Sequence, residues 1–254
     1  MKPQRLAILV SVSSVAGLIL VWYFAGLQGW LAPTSGVPTV LDVIQAGKLW
    51  VQQGRLTEDV PISLGRALAG IAIGALLGTT VGVLTGRLRV LYWLVGPVLN
   101  FFRALPAVAL APFLLIIFGL SETSRVAVIS IGVFFPVWIS AHEGTGQVDP
   151  RLIEVARNLS FSPGQTYRRV ILPSALPYLV PGIRTGIAIA YIMVFISEWI
   201  GASRGIGYRL SVAHTLSSTD HIVVALIVLG VLAMVTDGLF RFGIRRMCPW
   251  LERV

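Results

Sequence analysis

Six stretches of this chain are apolar for long enough, or nearly long enough, to cross a lipid bilayer. A spanning helix needs about 20 mainly apolar residues. Of the 254 residues, 56% are hydrophobic and 12% charged, which excludes both a disordered chain and an ordinary soluble domain. We therefore predict an all-α, polytopic membrane protein with six transmembrane helices in a single domain over residues 1–254. The six stretches cover residues 6–26, 62–86, 91–119, 126–141, 176–200 and 222–242.

The third stretch is longer than one straight span. It has 29 residues and contains Pro97, Pro106 and Pro112. At about 1.5 Å per residue it would reach about 43 Å, whereas the hydrocarbon core is about 30 Å thick. We expect this stretch to be kinked, or to lie partly at the interface. Between the first two stretches, residues 40–51 predict a short amphipathic helix.

Basic residues outside the apolar stretches predict the orientation. Lys2 and Arg5 precede the first stretch, which is too long for the apolar part of a secretory signal and lacks an Ala-x-Ala cleavage pattern. With the N-terminus in the cytoplasm, twelve Lys and Arg residues lie on the cytoplasmic side and five on the other. This excess favours both termini in the cytoplasm. The segment 142–173 is then also cytoplasmic.

The sequence contains no pattern for covalent chemistry. The single cysteine, Cys248, excludes an intrachain disulfide, and the three histidines have no metal-ligand spacing. A phosphate-binding Gly-x-x-x-x-Gly-Lys-Ser/Thr loop, a nucleophile elbow and paired carboxylates are all missing. The net charge is +9, and the charged residues stand between the apolar stretches. Membrane topology therefore explains the charge better than nucleic-acid binding does. We expect no catalytic residue, metal or cofactor in this chain, and this argues against an intramembrane enzyme.

Glycines recur at every fourth position of the second stretch. This spacing leaves one face of a helix nearly without side chains, which allows close packing against another membrane helix. We predict a helix-packing face here, and a direct role in gating is the alternative. The glycines are Gly70, Gly74, Gly78 and Gly82, with Gly86 continuing the series.

Charged residues within apolar stretches are candidates for function, because each costs at least about 2.5–3.5 kcal/mol at mid-span. Arg103 lies beside Pro106 in the third stretch, and a guanidinium group suits the oxygens of an anion. Glu198 lies near the end of the fifth stretch. We predict Arg103, Pro106 and Glu198 as residues of a substrate pathway. The alternative is a structural partner for Arg103, and gating or a structural ion pair for Glu198.

Two further charges in the sixth stretch have helical spacing. Asp237 and Arg241 are four residues apart, which allows an ion pair on one face of a helix, and we expect this pair to be structural. We place Arg184 close to the cytoplasmic interface, where its long side chain can reach water.

The segment 142–173 predicts two short helices joined at an angle. Residues 151–160 contain no proline or glycine, Pro163-Gly164 interrupts the chain, and a second helical piece over 165–171 ends at Pro173. On composition alone this could be an amphipathic loop lying on the membrane. The apolar positions of the first helix share one face and are Leu152, Val155, Ala156 and Leu159.

This segment resembles the coupling loop, or "EAA" loop, of the permeases of binding-protein-dependent ABC importers. The family pattern is Glu-Ala-Ala, three residues, Gly, nine residues, Ile-x-Leu-Pro. At the same spacing this chain has Glu154, Ala156, Leu172 and Pro173. It departs from the pattern at Val155, Val170 and Ser160. Ser160 replaces a glycine, and glycine readily adopts positive φ.

From about Pro61 to Trp250 the chain is similar to the nitrate, sulfonate and taurine branch of that family. The similar segments are Arg103-Ala-Leu-Pro-Ala-Val-Ala109, Glu198-Trp-Ile-Gly-Ala202 and Gly205-Ile-Gly-Tyr208. The resemblance implies the fold of a type I importer permease in the bacterial plasma (inner) membrane. It implies transport of a small oxyanion or sulfonate, such as nitrate, taurine or an alkanesulfonate. A neutral or cationic heterocycle is an alternative substrate.

The resemblance also implies partners. Two cytosolic ABC ATPase subunits would use ATP and Mg²⁺, a second and by default identical permease subunit would complete the pathway, and a soluble or lipid-anchored binding protein would deliver substrate. An ATP-independent channel or secondary transporter is the alternative function. For docking on the ATPase the resemblance points to Glu154, Ala156, Arg157, Leu159, Ser160, Leu172 and Pro173.

Overall fold

The computed structural model describes residues 3–31 and 36–248, and in these residues every regular element is a helix, as the sequence predicts. The first half contains α1 (Pro3–Leu27), α2 (Val40–Gln52), α3 (Arg55–Arg87), α4 (Arg89–Ala104), α5 (Ala107–Phe118) and α6 (Glu122–Gly146). The second half contains α7 (Pro150–Asn158), α8 (Pro163–Thr166), a π-helical turn (Tyr167–Ile171), α9 (Leu172–Trp199), α10 (Ile206–Thr215) and α11 (Thr219–Met247).

Four helical segments of the described chain are long and apolar enough to cross a membrane, and the bent pair α4–α5 makes a fifth. The four are α3, α6, α11 and the segment Pro163–Trp199 that contains α9. Helix α1 covers the predicted first span, but its described apolar part, Val12–Leu27, is shorter. A sixth transmembrane helix, which would be α1, therefore stays a prediction. Lys2 and Arg253, which contribute to the predicted orientation, lie outside the described residues.

The predicted third span is broken into two helices that meet at 103°. The break lies at Leu105 and Pro106, which both have extended backbone conformations. A proline disfavours helical backbone in the residue before it, so Leu105 ends α4 and Pro106 begins α5. Pro97 and Pro112 lie inside their helices. One proline of the three thus sets the break.

The structure differs from the sequence-based expectation at Pro173, where no helix ends. The chain is helical from Pro163 to Trp199, and the π-helical turn precedes Pro173. There the backbone N–H of Leu172 donates to the carbonyl oxygen of Tyr167, five residues back. A proline lacks an N–H and its ring crowds the preceding turn. The wider π turn accommodates both effects, so the helix continues.

Helices α3, α6 and α9 form the centre of the bundle, and the predicted glycine face is the surface of α3 that packs against α6. A Cβ atom on Gly74 would lie 2.5 Å from the carbonyl oxygen of Ser130 and 2.7 Å from Cβ of Val133. A Cβ atom on Gly78 would lie 2.8 Å from the carbonyl oxygen of Phe134. Such distances are shorter than real side chains adopt, so α6 can approach this closely only because these positions lack side chains.

We predict that Gly74→Ala destabilises the bundle by about 1–3 kcal/mol, because the added methyl group must push α6 away. Gly65→Ala in the same helix is the matched control. No atom lies within 4 Å of the added Cβ at that position, and alanine favours helix. Apparent melting temperatures in detergent, measured at one scan rate, give the comparison. Equal melting temperatures for the two variants would contradict a packing role.

Candidate functional site

The two ends of the bundle carry different polar groups. We call the end that carries α7 and α8 the loop end, and the end that carries α10 the α10 end. Helices α3, α6 and α9 run the whole distance between them. The loop end contains the predicted coupling residues, and the α10 end contains Glu198.

Helix α7 is fixed at its start and exposes an apolar surface. The side chain of Asp149 accepts a hydrogen bond from the backbone N–H of Arg151 at 2.9 Å, and Pro150 occupies the first turn. This cap and a first-turn proline favour a defined helix start. Leu152, Val155 and Leu159 are 45%, 53% and 62% exposed. They form an uncovered apolar strip on one side of α7.

Ala156 does not belong to that strip, although the sequence pattern placed it there. It is 1% exposed and is the buried residue of α7. Positions 155 and 156 differ by about 100° around a helix, so one faces outward and the other faces the protein. Ala156 thus seats α7 on the protein while the strip stays accessible.

Ser160 ends α7 in the backbone conformation that the family's glycine would favour. Its φ is 54°, in the left-handed region. The N–H of Phe161 donates to the carbonyl oxygen of Ala156 at 3.0 Å, and the N–H of Ser160 donates to that of Arg157 at 2.9 Å. These two bonds define a Schellman helix end. The turn geometry therefore survives the replacement of glycine, at some conformational cost.

The charged side chains of the loop are available to another molecule. Glu154 and Arg157 are exposed, and neither has an ion-pair partner among the described residues. Leu172 and Pro173 are half-buried at the start of α9. The strip and its charges are thus connected by α8 and the π turn to a helix that reaches the α10 end.

At the α10 end a buried ion-pair cluster joins α3, α6 and α9. Arg66 Nη1 donates to Glu198 Oε1 at 2.7 Å, and Arg66 Nη2 donates to Glu122 Oε1 at 2.6 Å. Glu198 is 0% exposed and Arg66 is 6% exposed, whereas the Glu122 side chain is 64% exposed. The structure thus encloses Glu198 among protein groups and gives it the structural ion pair that we considered as an alternative.

The same carboxylate holds the start of α10. The N–H of Gly207 donates to Glu198 Oε2 at 2.8 Å, and Ser63 Oγ donates to Oε1 at 2.8 Å. A Cβ atom on Gly205 would lie 2.5 Å from both the carboxyl carbon and Oε2 of Glu198, and the φ of Gly205 is 113°. The motif Glu198…Gly205-x-Gly207 is therefore a cap in which glycines let a buried carboxylate reach a helix N-terminus.

Sequence reasoning missed Arg66 and Asp59, which complete this cluster. Asp59 accepts a hydrogen bond from the N–H of Gly205 at 2.7 Å and pairs with Arg209. The missed signal was the charge of Arg66 at the start of an apolar stretch, since a buried cation needs an acidic partner. No sequence spacing connects positions 66 and 198.

Arg103 and Pro106 lie at the bend between α4 and α5. Both are exposed, and Arg103 has no hydrogen-bond or ion-pair partner among the described residues. Among the described residues Arg103 therefore has no structural partner, whereas Glu198 is buried at the α10 end. In α9 and α11, Arg184 and Arg241 both contact Asp237, and the Arg184 contact was not predicted.

Comparison with known proteins identifies the family. The family described as the inner membrane component of binding-protein-dependent transport systems matches residues 70–248. The chain belongs to this permease family. The permease is 34% identical to a Bacillus subtilis protein named as an aliphatic sulfonates transport permease, SsuC, over 92% of this chain and 85% of that protein. It is 28% identical to the taurine transport system permease TauC of Escherichia coli, over 98% of this chain and 92% of that protein.

Solved structures support the fold. The permease superimposes on a chain of the MetNI methionine ABC transporter, in inward-facing form, with a TM-score of 0.61 and 22% identity. The match covers 79% of the permease and 97% of that chain. An amino acid ABC transporter gives the same TM-score at 17% identity. The permease is therefore a multi-pass inner membrane protein with the fold of an ABC importer permease.

We predict that Glu198→Gln destabilises the permease by about 3–5 kcal/mol, because it removes the buried one of the two carboxylates that pair with Arg66. Glu122→Gln removes a carboxylate from the same guanidinium but at an exposed position, so we expect a much smaller loss. Apparent melting temperatures of the two variants test this. The assignment fails if Glu122→Gln costs as much as Glu198→Gln.

We also predict that Ser160→Gly is neutral or stabilising and that Ser160→Val is destabilising. Glycine adopts the left-handed φ of this position without strain, whereas valine is strongly disfavoured there. The expected difference between the two variants is about 1–2 kcal/mol. Limited proteolysis at residues 158–164 measures it locally. Faster cleavage of the glycine variant than of the valine variant would be the opposite result.

Proposed function

We propose that this permease forms the translocation pathway of an ATP-driven ABC importer and that the loop end docks on cytosolic ATPase subunits. The observation that carries the proposal is the exposed strip Leu152, Val155 and Leu159 on α7. Beside it lie Glu154 and Arg157, whose charges have no partner among the described residues. An apolar strip supplies burial in a protein groove, and flanking charges fix its register. The defined start and end of α7 favour a rigid docking element over a surface loop.

The shape of the chain supports coupling between this loop and the far side of the membrane. The segment Pro163–Trp199 has 37 residues, so at about 1.5 Å each it spans about 55 Å. Its start packs against α7, and its end carries Glu198 in the ion-pair cluster. ATP and Mg²⁺ bound by the ATPase subunits would close them, and α7, α8 and α9 would move together as one lever. Such rigid-body motion is a known type of conformational switch.

For the assembly we propose two identical permease subunits with both termini in the cytoplasm, and a soluble or lipid-anchored protein that delivers substrate at the α10 end. For the substrate we propose a small sulfonate or related oxyanion. Relatives named for aliphatic sulfonates, taurine and bicarbonate support this class. The guanidinium of Arg103 at the α4–α5 bend has no partner within residues 3–31 and 36–248 and fits an anion, so Arg103 and Pro106 remain our pathway candidates.

The first experiment is purification of the tagged permease from its native membrane in mild detergent, with partners identified by mass spectrometry. A P-loop ATPase in stoichiometric amount supports the importer. Permease that is folded and repeatedly without a partner would favour an ATP-independent channel or secondary transporter. A co-purified binding protein can then be tested with taurine, alkanesulfonates, nitrate and bicarbonate by calorimetry.

We predict that Glu154→Arg reduces ATPase co-purification and transport at least tenfold without changing the melting temperature. The charge reversal lies on the exposed docking surface, where no described residue depends on it. Lys48→Glu on α2, an exposed reversal of charge away from the loop end, is the matched control for co-purification of the ATPase. Normal ATPase binding and transport by the Glu154→Arg variant would show that this loop is not the coupling site.

A further inference from the structure

A second charged cluster lies on α9 and α11, far from the α10 end. Arg184 Nε donates to Asp237 Oδ1 at 2.8 Å, and Arg184 Nη2 donates to Oδ2 at 3.2 Å. Arg241 Nε lies 3.1 Å from the same Oδ2. Two guanidinium groups thus share one carboxylate, and the cluster keeps one positive charge in excess.

This cluster lies along two of the candidate membrane-spanning helices and is open on one side. Arg184 comes twelve residues after the start of α9 and fifteen before its end, so it is about 18 Å from one end and about 22 Å from the other. The side chains of Arg184 and Arg241 are 45% and 48% exposed. Because charged groups are unfavourable in hydrocarbon, this surface faces water or protein in the assembled transporter.

The surface beside the cluster leaves room for a small solute. A groove between α9 and α11 is bordered by Arg184 and Asp237 and by the small residues Thr185, Ala188 and Ala233. Within the described chain, Nη1 of Arg184 and the two terminal nitrogens of Arg241 have no hydrogen-bond acceptor. Free guanidinium donors beside a groove match the oxygens of a sulfonate, carboxylate or similar oxyanion.

We propose that this groove lines the translocation pathway and that Arg184 contacts the oxyanion group of the substrate in transit. The inference rests on the proposed function. It assigns the contact with substrate to Arg184, which the sequence analysis placed close to the cytoplasmic interface of the membrane. Asp237 acts as a positioning residue: it orients the guanidinium and lowers the net charge. An anion then binds weakly enough to leave again, as transport requires.

Cysteine labelling tests whether the groove holds water and a positive charge. In a Cys248→Ser background, Thr185→Cys is treated within the assembled complex with an anionic and a cationic methanethiosulfonate reagent. We expect labelling by both, with the anionic-to-cationic rate ratio falling about tenfold when Arg184→Gln is added. Leu77→Cys, at an exposed apolar position in the middle of α3, is the control, and neither reagent should label it.

Two labelling results would overturn the inference. If neither reagent labels Thr185→Cys, the groove is covered and does not line an aqueous pathway. An unchanged rate ratio in the Arg184→Gln variant would show that Arg184 does not set the local potential.

Transport separates this inference from the proposed function. In proteoliposomes with the ATPase and binding protein, we expect Arg184→Gln to reduce import of the accepted anion about tenfold, with partial recovery in Arg184→Lys. ATPase stimulation by the binding protein should persist. Arg246→Gln, at the end of α11, should transport normally. Full import by Arg184→Gln refutes the inference alone, whereas failure of the unaltered complex to import taurine, alkanesulfonates, nitrate or bicarbonate refutes the proposed substrate class.

Discussion

The close approach of α3 to α6 is the constraint on which the rest of the bundle depends. Lipid tails are as apolar as leucine side chains, so helices in a membrane associate mainly through tight packing and polar contacts. Here the glycine face of α3 lets the backbone of α6 come closer than it could if these positions carried side chains. That approach brings Arg66 of α3 and Glu122 of α6 together, and with α9 it encloses Glu198. The close packing at the glycine positions therefore permits the buried ion pairs.

The segment Pro163–Trp199 is one continuous helix, and it can therefore transmit a displacement along the bundle. Three prolines lie at or within α9, at 173, 177 and 181, yet the helix is not broken. The π turn before Pro173 takes up the local misfit, and π turns of this kind often mark functional positions. The loop end is thus joined to the α10 end by one helix with a single irregular turn. A displacement of α7 has a direct route to the ion-pair cluster.

The sequence was informative where the cause is local and less so where the cause is a distant contact. The glycine spacing, a break in the proline-containing third stretch and the short helix α7 follow from nearest-neighbour chemistry, and all are present. The continuation through Pro173 was not foreseen, because a π turn depends on the packing of the whole segment. The pairing of Arg66 with Glu198 spans 132 positions and leaves no periodic signal. Ala156 was placed on the wrong side because a helix face is wide and only packing decides its edge.

The charged residues of the permease differ in burial. Buried charges have structural roles, whereas exposed charges are available to ligands. At the α10 end, Glu198 and Arg66 are enclosed and matched by several donors and acceptors, so they hold helices together. On α7, Glu154 is exposed and has no ion-pair partner in the described part of the chain, as suits a charge that meets another protein. Arg184 lies between these cases, since it is paired but 45% exposed within a candidate membrane-spanning helix. Its Asp237 partner reduces the cost of the charge without removing its free donors, so the site can exchange contacts with a passing anion while the bundle stays intact.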